Sequence, residues 1–156
     1  MEEQLKLMNE MVASCYERLG NDEYETSVKG IRAICQYYGG QMIFLPRFKK
    51  DKSETAEQIR GVLADAVGDR AAEVMLEVLM SQFGGVPLYI PQECRAFRKE
   101  VAKEIKERYD GRQETMRDLC REYKISFVQV YRLWHIANQL ERDERENNQP
   151  GLFDNI

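Results

Sequence analysis

The sequence is poor in the side chains that most chemistry needs. It holds one histidine, His135, and four cysteines. Cys15, Cys35, Cys94 and Cys120 stand 20, 59 and 26 positions apart, and no pair has CxxC spacing. With a single histidine to help, a zinc site has no framework, and no metal is expected. The four cysteines read as reduced thiols of an intracellular protein. There is no GxSxG, no HExxH and no glycine loop to cradle phosphate, so no enzyme and no cofactor are expected. Carboxylates are plentiful, but they alternate with lysine and arginine, as over 98–108, where ion-pair spacing explains them. Long apolar runs are missing. MIFL at 42–45 is far short of the roughly 20 residues that span a bilayer, so no membrane partner is expected. The first residues, MEEQLKLMNEM, lack the basic and apolar regions of a secretory signal. Positive charge is also in deficit, with 23 basic and 27 acidic side chains and a net charge of −4. Taken as an average, that argues against a nucleic-acid partner.

What is present is a core and a repeat. A chain of 156 residues with 43 % apolar side chains suits one domain or two small ones. YGGQMIFLP at 38–46 matches FGGVPLYIP at 83–91, with the diglycines Gly39-Gly40 and Gly84-Gly85 offset by 45 positions. Each follows an apolar-periodic helix, marked by Val28, Ile31, Ile34 and Cys35 or by Val74, Leu76, Val78 and Leu79. A glycine break, Gly20-Asn21-Asp22 or Gly68-Asp69, precedes each of those helices and closes an earlier one, about 4–18 and 54–66. The polar residue after each break is suited to cap the next helix. One unit therefore reads helix, turn, helix, diglycine, short strand, proline. The diglycine permits positive φ, and the proline ends the ladder. A four-residue strand has no partner inside its own unit. It pairs either with the other copy in this chain or with a strand of a second chain. The segment RFKKDK at 47–52 is a basic loop, suited equally to phosphate contact and to a solvated linker.

The second half carries a different pattern. Residues 93–108 read as a helix, with Phe97, Val101 and Ile105 at four-residue spacing. Asp110-Gly111 breaks it. Met116, Leu119, Cys120 and Tyr123 then form one helical face, and Val130, Leu133, Trp134, Ala137 and Leu140 form another. Between them Lys124 falls where a left-handed residue belongs, Ile125 is the apolar turn residue, and Ser126 stands at an N-cap. This is a helix-turn-helix pattern, with Cys120 as the small residue at the helix crossing. Opposite the apolar stripe lie Val128, Gln129, Arg132, His135 and Gln139. Glutamine can bond adenine, arginine can bond guanine, and Phe127 and Val128 suit thymine methyls. His135 reads as solvated and Trp134 as core. Ser126, Phe127, Val128, Gln129, Tyr131, Arg132 and Arg112 form the candidate DNA-facing set in this half.

The motifs FGGVPLYIP (83–91) and YDGRQETMRDLCREYKISFVQVYRL (109–133), with the helix pair at 54–82, resemble the Mor transcription activator family of Mu-like bacteriophages. The resemblance covers about 54–140. It implies an intertwined homodimer whose helices and short strands build the core, with two reading heads in successive major grooves. By position it makes Tyr89 a strand residue facing DNA and Gly84-Gly85 a flexible link. It also implies recruitment of RNA polymerase. Two departures stand out. Pro87 occupies the position, two before the tyrosine, where the family pattern is polar. The unit at 4–46 is an additional copy of the dimerisation half. The copies can pair within one chain, leaving one reading head, or with a partner chain, giving an extended homodimer with two. The second arrangement is expected, because half-site spacing and affinity need two heads.

The chain ends in a polar stretch, 141–149, expected to fray, and then PGLFDNI. QPGLF at 149–153 resembles the pentapeptide that binds the replication sliding clamp. A plainer expectation is that Leu152 and Phe153 fold back on the domain. The net charge also divides unevenly. Residues 93–142 carry 12 basic and 9 acidic side chains, so the excess of positive charge falls on the helix-turn-helix. The expected organisation is a mainly α protein. It comprises a first helix-helix-strand unit (1–47), a second (53–92), a DNA-binding domain (93–142) and a flexible acidic tail (143–156). The expected function is a cytoplasmic regulator of phage or prophage origin that binds promoter DNA as a dimer. The competing expectation is a non-enzymatic adaptor that docks the sliding clamp.

Overall fold

The computed structural model describes residues 2–148. The QPGLF segment lies outside the described residues. The chain is mainly helical, as expected, with eight helices and one pair of short strands among those residues. It divides into two units, Met1–Ala96 and Phe97–Ile156.

The first unit holds α1 (Glu2–Leu19), α2 (Tyr24–Tyr38), β1 (Gln41–Phe44), α3 (Glu54–Val67), α4 (Asp69–Phe83), β2 (Pro87–Ile90) and α5 (Glu93–Ala96). Its helices form because apolar side chains recur at helical spacing. Met8, Met11, Val12 and Cys15 are buried on α1, and Ile31, Ile34, Cys35 and Tyr38 on α2. Ala72, Met75, Leu76 and Leu79 repeat the same spacing on α4. Each full burial of an Ile, Leu or Met contributes about 1.5–3 kcal/mol. α1 packs on α2 and α4, and α3 packs on the same two helices, so the helix-helix-strand units share one core. The expected caps take another form. Glu23, not Asn21, holds the N-cap of α2 and makes no side-chain cap bond, though its carboxylate accepts from Thr26 Oγ1 at 2.6 Å. Asp69 is the first residue of α4, where its charge suits the positive end of the helix dipole.

The strands find each other. β1 runs antiparallel to β2, with Met42 opposite Tyr89, Ile43 opposite Leu88 and Phe44 opposite Pro87. Of the two pairings open to them, the single chain shows the one between its own two copies. The arrangement repeats at the 45-residue offset. The Gly40 N–H donates to the Ile90 carbonyl at 2.7 Å, and the Gly85 N–H donates to the Leu45 carbonyl at 2.8 Å. Helices α2 and α4 are both 15 residues long and stand at the same offset.

The diglycine needs both of its glycines. Gly85 has φ +86°, a left-handed angle that L side chains rarely adopt. Gly84 is buried, and a Cβ there would lie 2.3 Å from the Met80 carbonyl oxygen and 2.7 Å from that of Pro46. The expected flexible link is therefore a pinned corner where three stretches of backbone crowd together.

The unit boundary falls after Ala96 because Glu93 is anchored to the first unit. Its carboxylate is 6 % exposed and accepts from Arg32 Nε at 2.9 Å and Gln36 Nε2 at 3.0 Å. The Arg32 Nη2 stands 2.6 Å away. The helix expected over 93–108 is interrupted at Phe97, a buried side chain that holds the N-cap of the next helix.

The second unit holds α6 (Arg98–Arg108), α7 (Gln113–Tyr123) and α8 (Phe127–Asn148). Val101, Ala102 and Ile105 of α6 meet Val130, Leu133 and Ala137 of α8, and Met116, Leu119 and Tyr123 of α7 close the core. α8 does not fray at 141 but continues to Asn148. Glu141 pairs with Lys106, and Glu144 with Lys103 at 3.6 Å, so the polar last turns are tied to α6.

Candidate nucleic-acid interface

The α7–α8 pair is built by a short sequence of local choices. α7 begins after an Asx turn, in which Asp110 Oδ1 accepts the Arg112 N–H at 3.0 Å and Gly111 takes φ +83°. That bond and one from the Thr115 side chain hold the Asp110 carboxyl below its ordinary range. α7 ends on Lys124, with φ 56° and ψ 44°, the only non-glycine of positive φ among the described residues. The Cys120 carbonyl accepts from Lys124 and Ile125, and Ile125 is buried in the turn. α8 then starts with a reciprocal cap. The Gln129 N–H donates to Ser126 Oγ at 3.3 Å, and the Ser126 N–H donates to Gln129 Oε1 at 3.1 Å. This is the capping box, with Ser at the cap and Gln three residues on.

The first turns of α8 face outward. Phe127 is 52 % exposed, Val128 57 % and Tyr131 46 %, and Arg132 is exposed beside them. A groove of about 210 Å³ runs along this face, lined among others by Arg112, Arg117, Phe127, Tyr131 and Tyr109. Tyr109 donates a hydrogen bond to the Tyr131 hydroxyl at 3.4 Å, and their rings meet edge to face. That hydrogen bond raises the Tyr109 hydroxyl above its ordinary pKa. Trp134 is half-buried against Tyr109 rather than fully in the core, and His135 is exposed.

The structure thus brings Ser126, Phe127, Val128, Gln129, Tyr131 and Arg132 together with Arg112 in the second unit. Tyr89, Gly84 and Gly85 belong to the first. Tyr89 is half-buried on the outer face of the strand pair, opposite Met42 and beside exposed Phe44. In the basic loop, Lys49 pairs with Glu77 at 3.5 Å and Lys50 lies 5.7 Å from the Phe48 ring centre. The groove also holds Tyr109, Gln113 and Arg117, which the sequence pattern does not mark as site residues. The signal for Arg117 was available, because it falls on the polar side of the Met116–Leu119–Tyr123 stripe.

The protein is mainly α, and its second unit joins two helices through a left-handed turn, the second of them capped and outward-facing. The chain belongs to the Mor transcription activator family, whose model matches residues 48–152. It is accordingly a transcription regulator. The match starts in the loop after β1, so α1, α2 and β1 precede it. No curated protein and no solved structure matches the chain. No described helix is long and apolar enough to cross a membrane.

Proposed function

We propose that the chain is a sequence-specific DNA-binding activator. α8 enters the major groove by its first turns, Arg132 bonds a base edge, and Arg112 bonds phosphate. Tyr89 faces the minor groove from the strand pair. The bound protein recruits RNA polymerase through protein contacts, in the cytoplasm of a bacterium that carries the phage or prophage. The observation that carries this reading is the outward face of α8, where Phe127, Val128, Tyr131 and Arg132 lie exposed and flanked by Arg112. Membership of an activator family supports the regulatory part. The enzyme class has nothing comparable in its favour.

A dimer belongs to the same reading. Two heads spaced by one helical turn, about 34 Å, give a half-site arrangement that one head does not. Since β1 and β2 of one chain pair with each other, two chains associate through another surface, or exchange their strand-bearing halves.

The test is filter binding to the promoter region beside the gene. Arg132→Ala is expected to cost about 1–3 kcal/mol and to relax preference at one base pair. Unchanged affinity and preference would remove Arg132 from the interface. Wild-type binding is expected to weaken as salt rises, since phosphate contacts release counterions. Sedimentation of the complex counts the chains. A single 18.3 kDa chain on each DNA site refutes the dimer.

A further inference from the structure

We propose that this surface reads thymine methyl groups, through Phe127, Val128 and Tyr131, and that Gln129 is a positioning residue in the helix cap rather than a reader of adenine. This rests on the DNA-binding reading above and specifies what the recognition helix recognises.

Among the described residues of the second unit, the large apolar residues with the greatest exposure are Phe127, Val128 and Tyr131, all within the first five residues of α8. The rest of that helix buries its apolar side chains at Val130, Leu133 and Ala137. The N-terminal residues of a recognition helix are those that meet base edges. An apolar cluster there requires an apolar group on the DNA. In the major groove, the thymine C5-methyl is the group of that kind among the four unmodified bases.

The polar alternative is already committed. To bond adenine bidentately, a glutamine accepts with Oε1 and donates with Nε2. Here Gln129 Oε1 accepts the Ser126 N–H, and the Gln129 N–H is held by Ser126 Oγ. Turning the amide toward a base would release the Ser126 N–H and undo one half of the cap. The cap therefore fixes the start of α8, and so sets the direction in which Phe127 and Val128 point.

Charge identifies the occupant as nucleic acid. Arg112 and Arg117 line the same groove as Phe127 and Tyr131, and Arg132 is exposed one turn beyond Val128. An apolar patch edged with guanidinium groups matches a methyl-bearing base step between phosphate rows. Arg112 has Asp110 at 3.8 Å, but an apolar protein partner would offer nothing to Arg117 and Arg132. Duplex RNA is excluded by the same chemistry, because uracil has no methyl and the A-form major groove is too narrow to read.

The experiment isolates the methyl. A pool of random duplexes is selected for binding, and the recovered site is resynthesised with deoxyuridine replacing each thymine in turn. Each contacted thymine is expected to lose about three- to four-fold in affinity, the worth of one buried methyl. In Phe127→Ala or Val128→Ala protein, the penalty at the matching position is expected to vanish. Gln129→Glu keeps a capping acceptor at the same position, and is expected to select the same bases at uniformly lower affinity. Deoxyuridine DNA bound as well as thymine DNA at every position would overturn the methyl reading while leaving DNA binding intact. Loss of an adenine preference in Gln129→Glu would overturn the positioning role. A pool that yields no enriched sequence refutes the DNA-binding reading itself, and this inference with it.

Discussion

Replacing one glycine with alanine is expected to have opposite effects at two places in the first unit. Gly84 sits in the corner between α4 and β2. A Cβ there would stand 2.3 Å from the Met80 carbonyl oxygen, 2.7 Å from the Pro46 carbonyl oxygen and 3.0 Å from the Arg47 Cα. All three are backbone atoms, so no side chain can rotate away. Relief requires moving either the last turn of α4 or the segment that follows β1. Such overpacking costs about 1–3 kcal/mol. Shifting that corner also strains the bond from the Gly85 N–H to the Leu45 carbonyl, which ties the two halves of the sheet together. Gly61 is the control. It lies inside α3, is exposed, and has nothing within 4 Å of an added Cβ. Alanine there gains helix propensity and removes freedom from the unfolded chain, for about 0.5–1 kcal/mol of added stability. In a unit of this size 1 kcal/mol shifts the melting temperature by about 4–8 °C. Thermal and urea unfolding of the full chain should therefore show Gly84→Ala falling by several degrees and Gly61→Ala rising by a few. The first unit's transition must be followed separately, because two units need not unfold together. Gly84→Ala melting at or above the wild-type temperature would refute the crowding argument.

Other expectations follow from the same contacts. Ser126→Ala removes a reciprocal cap and should destabilise the second unit by about 1 kcal/mol, read by urea unfolding, with no effect on the first. Glu93→Ala removes the acceptor that holds Arg32 and Gln36, and should cost about 3 kcal/mol in the first unit; a loss no larger than that of an exposed pair would mean the site is wet. Burial pushes the thiols of Cys15 and Cys35 up to about 12, with the nearby Glu93 carboxylate adding to the rise at Cys35. Thiol titration with a disulfide reagent near neutral pH should therefore leave both unreacted until the protein unfolds. Tyr123 has its hydroxyl raised by burial and by donating to Glu104 at 2.6 Å. A group of raised folded pKa contributes stability that is whole below its unfolded value, about 10 for tyrosine, and is lost as pH climbs past it. Tyr123→Phe should flatten that alkaline loss.

Much of this fold is legible in local pattern. The apolar spacing on α1, α2 and α4, the glycine breaks and the two strand motifs all follow from neighbours in sequence. So does the left-handed position of Lys124, since a helix must end before Ile125 can enter the core. Three features were not legible, each because it depends on something distant. The choice of partner for β1 is set by residues 45 positions away, which a local pattern does not contain. The length of α8 depends on lysines of α6 that pair with Glu141 and Glu144; by composition alone that stretch looks unfolded. The interruption at Phe97 depends on one side chain finding a core. At the candidate interface, Gln129 illustrates a further limit. A glutamine three residues after a serine satisfies two patterns, a helix cap and a base reader, and only the hydrogen bonds show which one its amide oxygen serves.

The pairing of β1 with β2 has a consequence for how this sequence can change. When two identical chains make a symmetric core, every substitution appears twice, and a residue on the axis must fit against itself. Here one of the two middle pairs of the sheet is Ile43 against Leu88, which are counterparts at the 45-residue offset. They differ, and each is free to suit the other. The outer face has diverged in the same way, with Met42 and Phe44 answering to Pro87 and Tyr89. A two-fold frame encoded in one chain keeps the geometry of symmetry and drops its obligation. Selection can alter one half for a new contact while the other half preserves the fold.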